Sequence, residues 1–408
     1  MKHLHTHKIL TDSQHDFRAK RSCETQLILT LEDILKTTSK GKQIDIALLD
    51  FSKAFDKVSH QRVNNELIVC GIRDNTLNWI SSFLHNRTQL VLLDNVKSST
   101  ASVDSGMPQG TVLGPLLFLL YINDLPENVK ANVKLFADDC LLYKEINNIS
   151  DGQDLQNDLK ALESWKNEWQ MSFNADKCFI ITAGTKNTKI NYEYKIHNQD
   201  LEKVPHSKYL GVTLSKDLSW KQHINNITKK SNKTLGFLRR NLHSCTHKVK
   251  EKAFTTLVRP SLDYVSSCWD PHIKEHIEEI EKVQRRGTRF VFNNYKSRKP
   301  GCVTNMLNTL QWEPLAHRRA KSRVTMLNKI RNNLVDIAPE QCLTGGDYRT
   351  RGEHKYKIIS AKHNIYKFSF FPRTIITWNY LPVTVALAPD LDSFRSGLEG
   401  VQFPPHCM

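Results

Sequence analysis

The run Val133-Lys134-Leu135-Phe136-Ala137-Asp138-Asp139-Cys140-Leu141-Leu142-Tyr143 constrains this chain more than any other segment. Apolar residues flank the acidic pair on both sides, a pattern that predicts two strands of a β-hairpin with two carboxylates at its turn. Carboxylates held that close on a rigid turn repel unless a cation lies between them, so the arrangement asks for a metal. Alone it is weak evidence, because 408 residues of average composition contain about one Asp-Asp pair by chance. Its neighbours in the sequence give it weight.

Upstream lies Ile44-Asp45-Ile46-Ala47-Leu48-Leu49-Asp50-Phe51-Ser52-Lys53-Ala54-Phe55-Asp56. Ile44, Ile46 and Leu48 alternate as in a strand with one buried face, and the apolar run stops at Asp50, which puts a third carboxylate at a strand end. Between the two acidic sites, Ser105-Gly106-Met107-Pro108-Gln109-Gly110-Thr111-Val112-Leu113-Gly114-Pro115 reads as a tight loop through which a ligand can approach backbone, and the apolar stretch Leu116 to Ile122 reads as a buried helix. Leu155, Leu159, Leu162, Trp165 and Trp169 are spaced for a helix that packs on the sheet. Trp220, Ile224 and Ile227, then Val249, Ala253, Phe254 and Leu257, predict amphipathic helices whose stripes bury against each other.

At these residues the chain resembles the reverse transcriptases of non-LTR (LINE-type) retrotransposons, specifically the jockey-like group. The run from Leu49 to His60 looks like that family's first catalytic motif, Gly106 to Pro115 like its Pro-Gln-Gly motif, and Phe136 to Asp139 like its Phe-Ala-Asp-Asp box. The likeness extends through Gln14 to Arg18, Phe173 to Cys178 and Tyr209 to Val212, and beyond the polymerase core to Ser267-Cys268-Trp269-Asp270-Pro271 and Ser369-Phe370-Phe371-Pro372-Arg373. It implies an α+β fold, a right-hand polymerase palm with partial fingers followed by an α-helical thumb. Residues 1–214 are expected to form fingers and palm, residues 215–335 a basic helical thumb, and residues 336–408 a C-terminal tail without an assigned role.

The resemblance implies an RNA-directed DNA polymerase that uses an RNA template, a DNA primer and dNTPs. Nucleotidyl transfer needs an activated 3′-hydroxyl and neutralised phosphate charge, which two Mg²⁺ ions roughly 3.5–4 Å apart supply. Carboxylates from separate strands are suitable hard-oxygen ligands. Asp50 and Asp138 are accordingly the expected bridging ligands of two Mg²⁺, with Mn²⁺ as a substitute, Asp139 as a supporting ligand and the Phe51 carbonyl as a further contact. Phe55 falls where the family places a bulky residue beneath the incoming nucleotide, so its ring is expected to exclude a 2′-hydroxyl. Gln109 and Gly110 are expected against the nascent base pair. Lys177 matches a lysine that donates a proton to departing pyrophosphate, and Arg18 matches a residue that contacts template or triphosphate.

Charge points to the same class of partner. Residues 215–335 contain 25 Lys+Arg against 9 Asp+Glu, while the remainder has 33 of each, so the whole excess of +16 sits in one block. A polyanion is the natural partner of such a block. Nine cysteines without C-x-x-C spacing argue against zinc knuckles and disulfides and for reduced intracellular thiols. With no signal peptide and no apolar run long enough to span a membrane, the expected place is nucleus or cytoplasm.

Two departures bear on activity. Position 16 is Asp where the family pattern has Gly, which predicts a disturbed glycine conformation or repelled phosphate. Met1 precedes that motif by little, so the upstream endonuclease and the start of the fingers are expected to be missing. Both an RNA-directed DNA polymerase and a catalytically inactive, truncated nucleic-acid-binding remnant of such an element fit the sequence.

Overall fold

A computed structural model describes residues 2–184, 189–346 and 354–404. The chain divides into two compact units, one of residues 1–23 and 41–207, the other of residues 24–40 and 208–408.

The first unit is built on a five-stranded sheet ordered Glu202–Lys203, Phe179–Ala183, Gln43–Asp50, Asp139–Ile146, Asn132–Phe136. All pairings are antiparallel except that of the edge strand Glu202–Lys203. The strand Gln43–Asp50 lies at its centre and ends at Asp50, as its pattern predicts. Its alternation suggested one buried face, but both faces are buried. The polar position on the second face, Asp45, is accommodated because the Tyr194 hydroxyl donates to it at 2.7 Å and the Gln43 amide at 3.0 Å, which satisfies the buried carboxylate.

The helix Ile149–Glu168 buries Leu155, Leu159, Leu162 and Trp165 in the same core as Ala47, Leu49 and Leu142 of the sheet. That makes the stripe a core element. Asn148 caps this helix by accepting from the Asp151 N–H, while the Asp151 carboxylate accepts from the Asn148 N–H, two reciprocal bonds that fix the helix start. The helix Leu113–Tyr121 buries its last five residues and follows the glycine-rich loop.

The second unit is mostly helical, with the long helices Lys221–Asn241, Lys274–Val291 and Leu315–Arg331. It includes the helix Cys23–Thr38 from Glu24 onward, although sequence position suggested the fingers. Partners far along the chain hold it: Gln26 donates to the Tyr209 hydroxyl at 2.6 Å, Ser267 to Glu24, and Tyr366 to Glu32 at 2.5 Å. Residues 336–408, set apart by sequence as a tail, belong to this unit and are not a separate appendage. Phe371, Ile375, Trp378 and Phe394 are buried there.

One buried ion cluster joins these pieces. The Asp270 carboxylate lies 2.7 Å from Arg319 Nε, 2.9 Å from Arg323 Nε and 3.4 Å from Arg373 Nη1. All four side chains are almost fully buried. The guanidiniums hold its carboxyl below the usual range against the opposing effect of burial.

Candidate active site

The strand register sets the geometry of the acidic residues. Asp50, the last residue of the central strand, pairs directly with Asp139, the first residue of the neighbouring strand. Phe136 pairs with Asp139 on the other side, so Ala137 and Asp138 form the hairpin turn. Three aspartates from two segments 88 residues apart in sequence are thus gathered at one end of the sheet, Asp50 and Asp138 half-buried and Asp139 exposed. Burial pushes the Asp138 carboxyl up; its own backbone N–H opposes this, Asp50 adds to it, and the Lys177 ammonium opposes it.

Lys177 reaches this site: its Nζ is 3.4 Å from Asp50 Oδ2, with two-thirds of the lysine side chain exposed. The loop that carries it is pinned to the central strand by the Asn174 N–H, which donates to Asp50 O at 2.8 Å, and by the Ser52 N–H, which donates to Ser172 O at 2.7 Å. Neither bond uses the Phe51 carbonyl. The Phe51 side chain is buried and stacks on Phe173 with ring centroids 4.5 Å apart.

Phe55 is half-buried and stacks on Phe118 of the helix after the glycine-rich loop, with centroids 4.3 Å apart. Its carbonyl accepts from the Met107 N–H at 2.7 Å, which ties that loop to the segment after Asp50. Gly106 has φ +89 and a β-carbon there would meet Asp56 backbone at 2.9 Å, so only glycine fits. Gln109 is exposed and donates to Asp56 Oδ1 at 3.3 Å, while Gly110 needs glycine for its φ of +76 alone.

Arg18 is placed differently from the other expected residues. Its side chain is 9% exposed and turned into its own loop, where it donates to Thr11 O and Gln14 O and lies 3.8 Å from Asp12. Asp16 also departs from expectation. The left-handed conformation falls on Phe17, with φ 49, so Asp16 does not occupy a glycine conformation. Its carboxyl is pushed up by burial, the Phe17 N–H opposing and Asp138 adding to the shift, which sets a fourth acid near the hairpin turn.

Sequence reasoning missed the hydrogen bonds that Gln14 makes with that turn. No hydropathy period marks a single buried amide, so spacing could not have found it.

A family model described as reverse transcriptase (RNA-dependent DNA polymerase) matches residues 1–214, more than half of the chain. The chain belongs to the reverse transcriptase family. Within that family it is a jockey-like, non-LTR member. It is similar to the RNA-directed DNA polymerase from mobile element jockey of Drosophila melanogaster, 25% identical over 369 residues that cover 86% of this chain and 39% of that protein. It is also similar to the probable RNA-directed DNA polymerase from transposon BS of Drosophila melanogaster, 27% identical over 301 residues, 70% of this chain and 33% of that protein. Among solved structures, telomerase from Candida albicans in complex with a telomeric RNA fragment aligns at 14% identity and a TM-score of 0.38 over 82% of this chain and 55% of that one. The chain spans about two-fifths or less of the length of these curated relatives.

Reverse transcriptases are generally dependent on divalent metals. Among the described residues no group of three or more His, Cys, Asp or Glu side chains is already arranged as a metal cage. Mg²⁺ in nucleotide sites is usually held by one or two carboxylates, with waters and substrate phosphates completing its shell. Asp50 and Asp138 fit that requirement, since their mutual repulsion in a partly buried place is what a cation relieves. No described helix is long and apolar enough to cross a membrane. None of the eight described cysteines is in a disulfide, and Cys407 lies outside the described residues.

Proposed function

We propose that this chain carries an RNA-directed DNA polymerase centre that extends a DNA primer on an RNA template from dNTPs. The observation that supports it most is the register pairing of Asp50 with Asp139, which brings the end of the central strand to the hairpin turn bearing Asp138. Asp50 and Asp138 are the proposed ligands of two Mg²⁺, with Mn²⁺ able to replace them, and with Asp139 and the Phe51 carbonyl in support. The bound ions would supply charge neutralisation at the transferring phosphate and activation of the primer hydroxyl.

The remaining roles belong to the chain itself. Lys177, ion-paired with Asp50 but largely in solvent, can turn toward a triphosphate and give a proton to the leaving pyrophosphate. Phe55, held against Phe118, presents a rigid ring to the sugar and excludes a 2′-hydroxyl. Gln109 and Gly110 lie on an exposed loop braced by Asp56, suited to contact the nascent base pair. Exposed lysines on the helix Lys221–Asn241 suit the phosphates of template and primer.

Primer extension on an RNA template with Mg²⁺ tests this directly. Asp138→Asn should reduce extension to background and leave binding of an RNA/DNA hybrid nearly intact. Unchanged extension in that variant would reject the assignment, and no extension by the wild-type chain would reject the function.

A further inference from the structure

The hairpin turn that carries Asp138 is not self-supporting. Ala137, directly before Asp138, has φ +47, a left-handed conformation that is unfavourable for an L-residue with a β-carbon. It is also buried, at 6% exposure, where backbone N–H and C=O groups need partners. The flanking strands end at Phe136 and begin at Asp139, so Ala137 lies outside the ladder.

Gln14 meets both needs. Its side chain is buried, and its Oε1 accepts from the Ala137 N–H at 3.1 Å while its Nε2 donates to Ala137 O at 3.4 Å. The same Oε1 accepts from the Asp16 N–H at 2.9 Å. Two backbone donors converge on one oxygen, so the orientation of the amide is determined by chemistry.

Gln14 is itself held from three sides. The segment around it docks on the outer edge of the strand Asn132–Phe136, with the His15 N–H donating to Leu135 O at 3.0 Å and the Leu135 N–H to Ser13 O at 2.9 Å. Arg21 donates to Gln14 O at 2.8 Å and pairs with Asp12 at 2.7 Å. Arg18 donates to the same carbonyl at 3.4 Å. A rigid loop therefore delivers one buried amide to the turn.

We propose that Gln14 is a positioning residue for the Asp138 carboxylate: by clamping both backbone polar groups of Ala137 it fixes the turn and so the direction in which Asp138 points. This rests on the assignment of Asp138 as a metal ligand. Partners that orient metal ligands typically change metal affinity or activity 10–100-fold when removed. Gln14→Leu keeps most of the volume and deletes all three hydrogen bonds. Gln14→Glu keeps an acceptor for the two N–H groups but turns a buried carboxylate oxygen toward Ala137 O, where the amide had donated.

The test is Mn²⁺ binding to the full chain without nucleotide, read from the resonance of free Mn²⁺, beside steady-state extension and binding of an RNA/DNA hybrid. Gln14→Leu should weaken the Mn²⁺ site that Asp138→Asn removes by about 10–100-fold. It should lower kcat by a similar factor and leave the KM for dNTP and the hybrid Kd within about twofold; Gln14→Glu should lower kcat as well, because its second oxygen faces Ala137 O. Wild-type Mn²⁺ affinity and kcat in folded Gln14→Leu would overturn the proposal. Loss of folded structure and hybrid binding in both variants would also overturn it, by making Gln14 a folding residue, and so would a wild-type chain with no Mn²⁺ site sensitive to Asp138→Asn. A wild-type chain that binds Mn²⁺ through Asp138 but extends no primer would reject the polymerase reading alone and leave the Mn²⁺ comparison to decide the role of Gln14.

Discussion

Replacing Asp270 by Asn should destabilise the second unit more than any single change to the arginines around it. The cluster contains one carboxylate and three buried guanidiniums, so it is net positive in the folded chain. Removing one partner of a buried pair costs about 3–5 kcal/mol, because the other charge is left uncompensated. Here three cations lose the same anion, which places Asp270→Asn at the upper end, about 4–5 kcal/mol and a large part of the 5–15 kcal/mol that holds a typical domain. Arg373→Met deletes one cation from a net-positive cluster and should cost less, even though Arg373 also donates to Asp270 O at 2.7 Å. Urea unfolding followed by tryptophan fluorescence reads the change, since Trp269 and Trp378 are both fully buried in this unit and its unfolding exposes them. The folded Asp270 carboxyl lies below its ordinary value, so its contribution is present at neutral pH and is lost as pH falls through the depressed folded value. The gap between wild type and Asp270→Asn should therefore narrow in strong acid. A cost under about 1.5 kcal/mol, or Arg373→Met costing more than Asp270→Asn, would refute the charge argument.

Phe55→Ala should raise the ratio of ribonucleotide to deoxyribonucleotide incorporation at least about tenfold, the scale of one group fitting or clashing in a pocket; an unchanged ratio in an active preparation would make Phe55 a packing residue of Phe118 only. Changing the exposed Lys229, Lys230 and Lys233 to Gln should flatten the log-log salt dependence of hybrid binding by somewhat under one for each phosphate that is no longer neutralised. An unchanged slope would place the phosphate-binding residues elsewhere. Burial holds His223 down at about 4, and its Nδ1 accepts from the Thr213 N–H at 3.2 Å. The unfolded chain therefore takes up this proton first, and about 2 kcal/mol of stability should disappear between pH 7.5 and pH 5. Thermal melts should show that loss reduced in His223→Phe; equal acid sensitivity in both proteins would refute it.

What sequence could show was whatever is local in the chain. The strand end at Asp50, the Asp138 turn, the helix after the glycine-rich loop and the Leu155 to Trp165 stripe each rest on a short period or a turn signal, and each is found in its place. Of the stripe expected at Val249, Ala253, Phe254 and Leu257, Phe254 is buried as expected, but Val249 and Leu257 are exposed and Lys250 is buried in their place. Hydropathy could not show this, because Lys250 is buried as an amphipathic chain that donates to His243 O at 2.9 Å. The basic block likewise overstates its free charge, as Arg319 and Arg323 are held by Asp270. Contacts between distant segments left no periodic trace: Gln14 with Ala137, Asp270 with Arg373, and Glu32 with Tyr366 are all invisible to spacing.

The helix Cys23–Thr38 has a consequence for synthesis. It is synthesised well before its partners, since the hydroxyl that bonds Glu32 is 334 residues further on. At about 5–20 residues per second, that partner appears roughly 20–70 s later. For that interval Leu27, Ile28, Leu31 and Ile34, all buried in the finished protein, have no completed unit to enter. The first unit can close around its sheet once residue 207 is made, but this helix belongs to the second unit, so the nascent chain carries an apolar segment that invites chaperone binding until those later partners have been made.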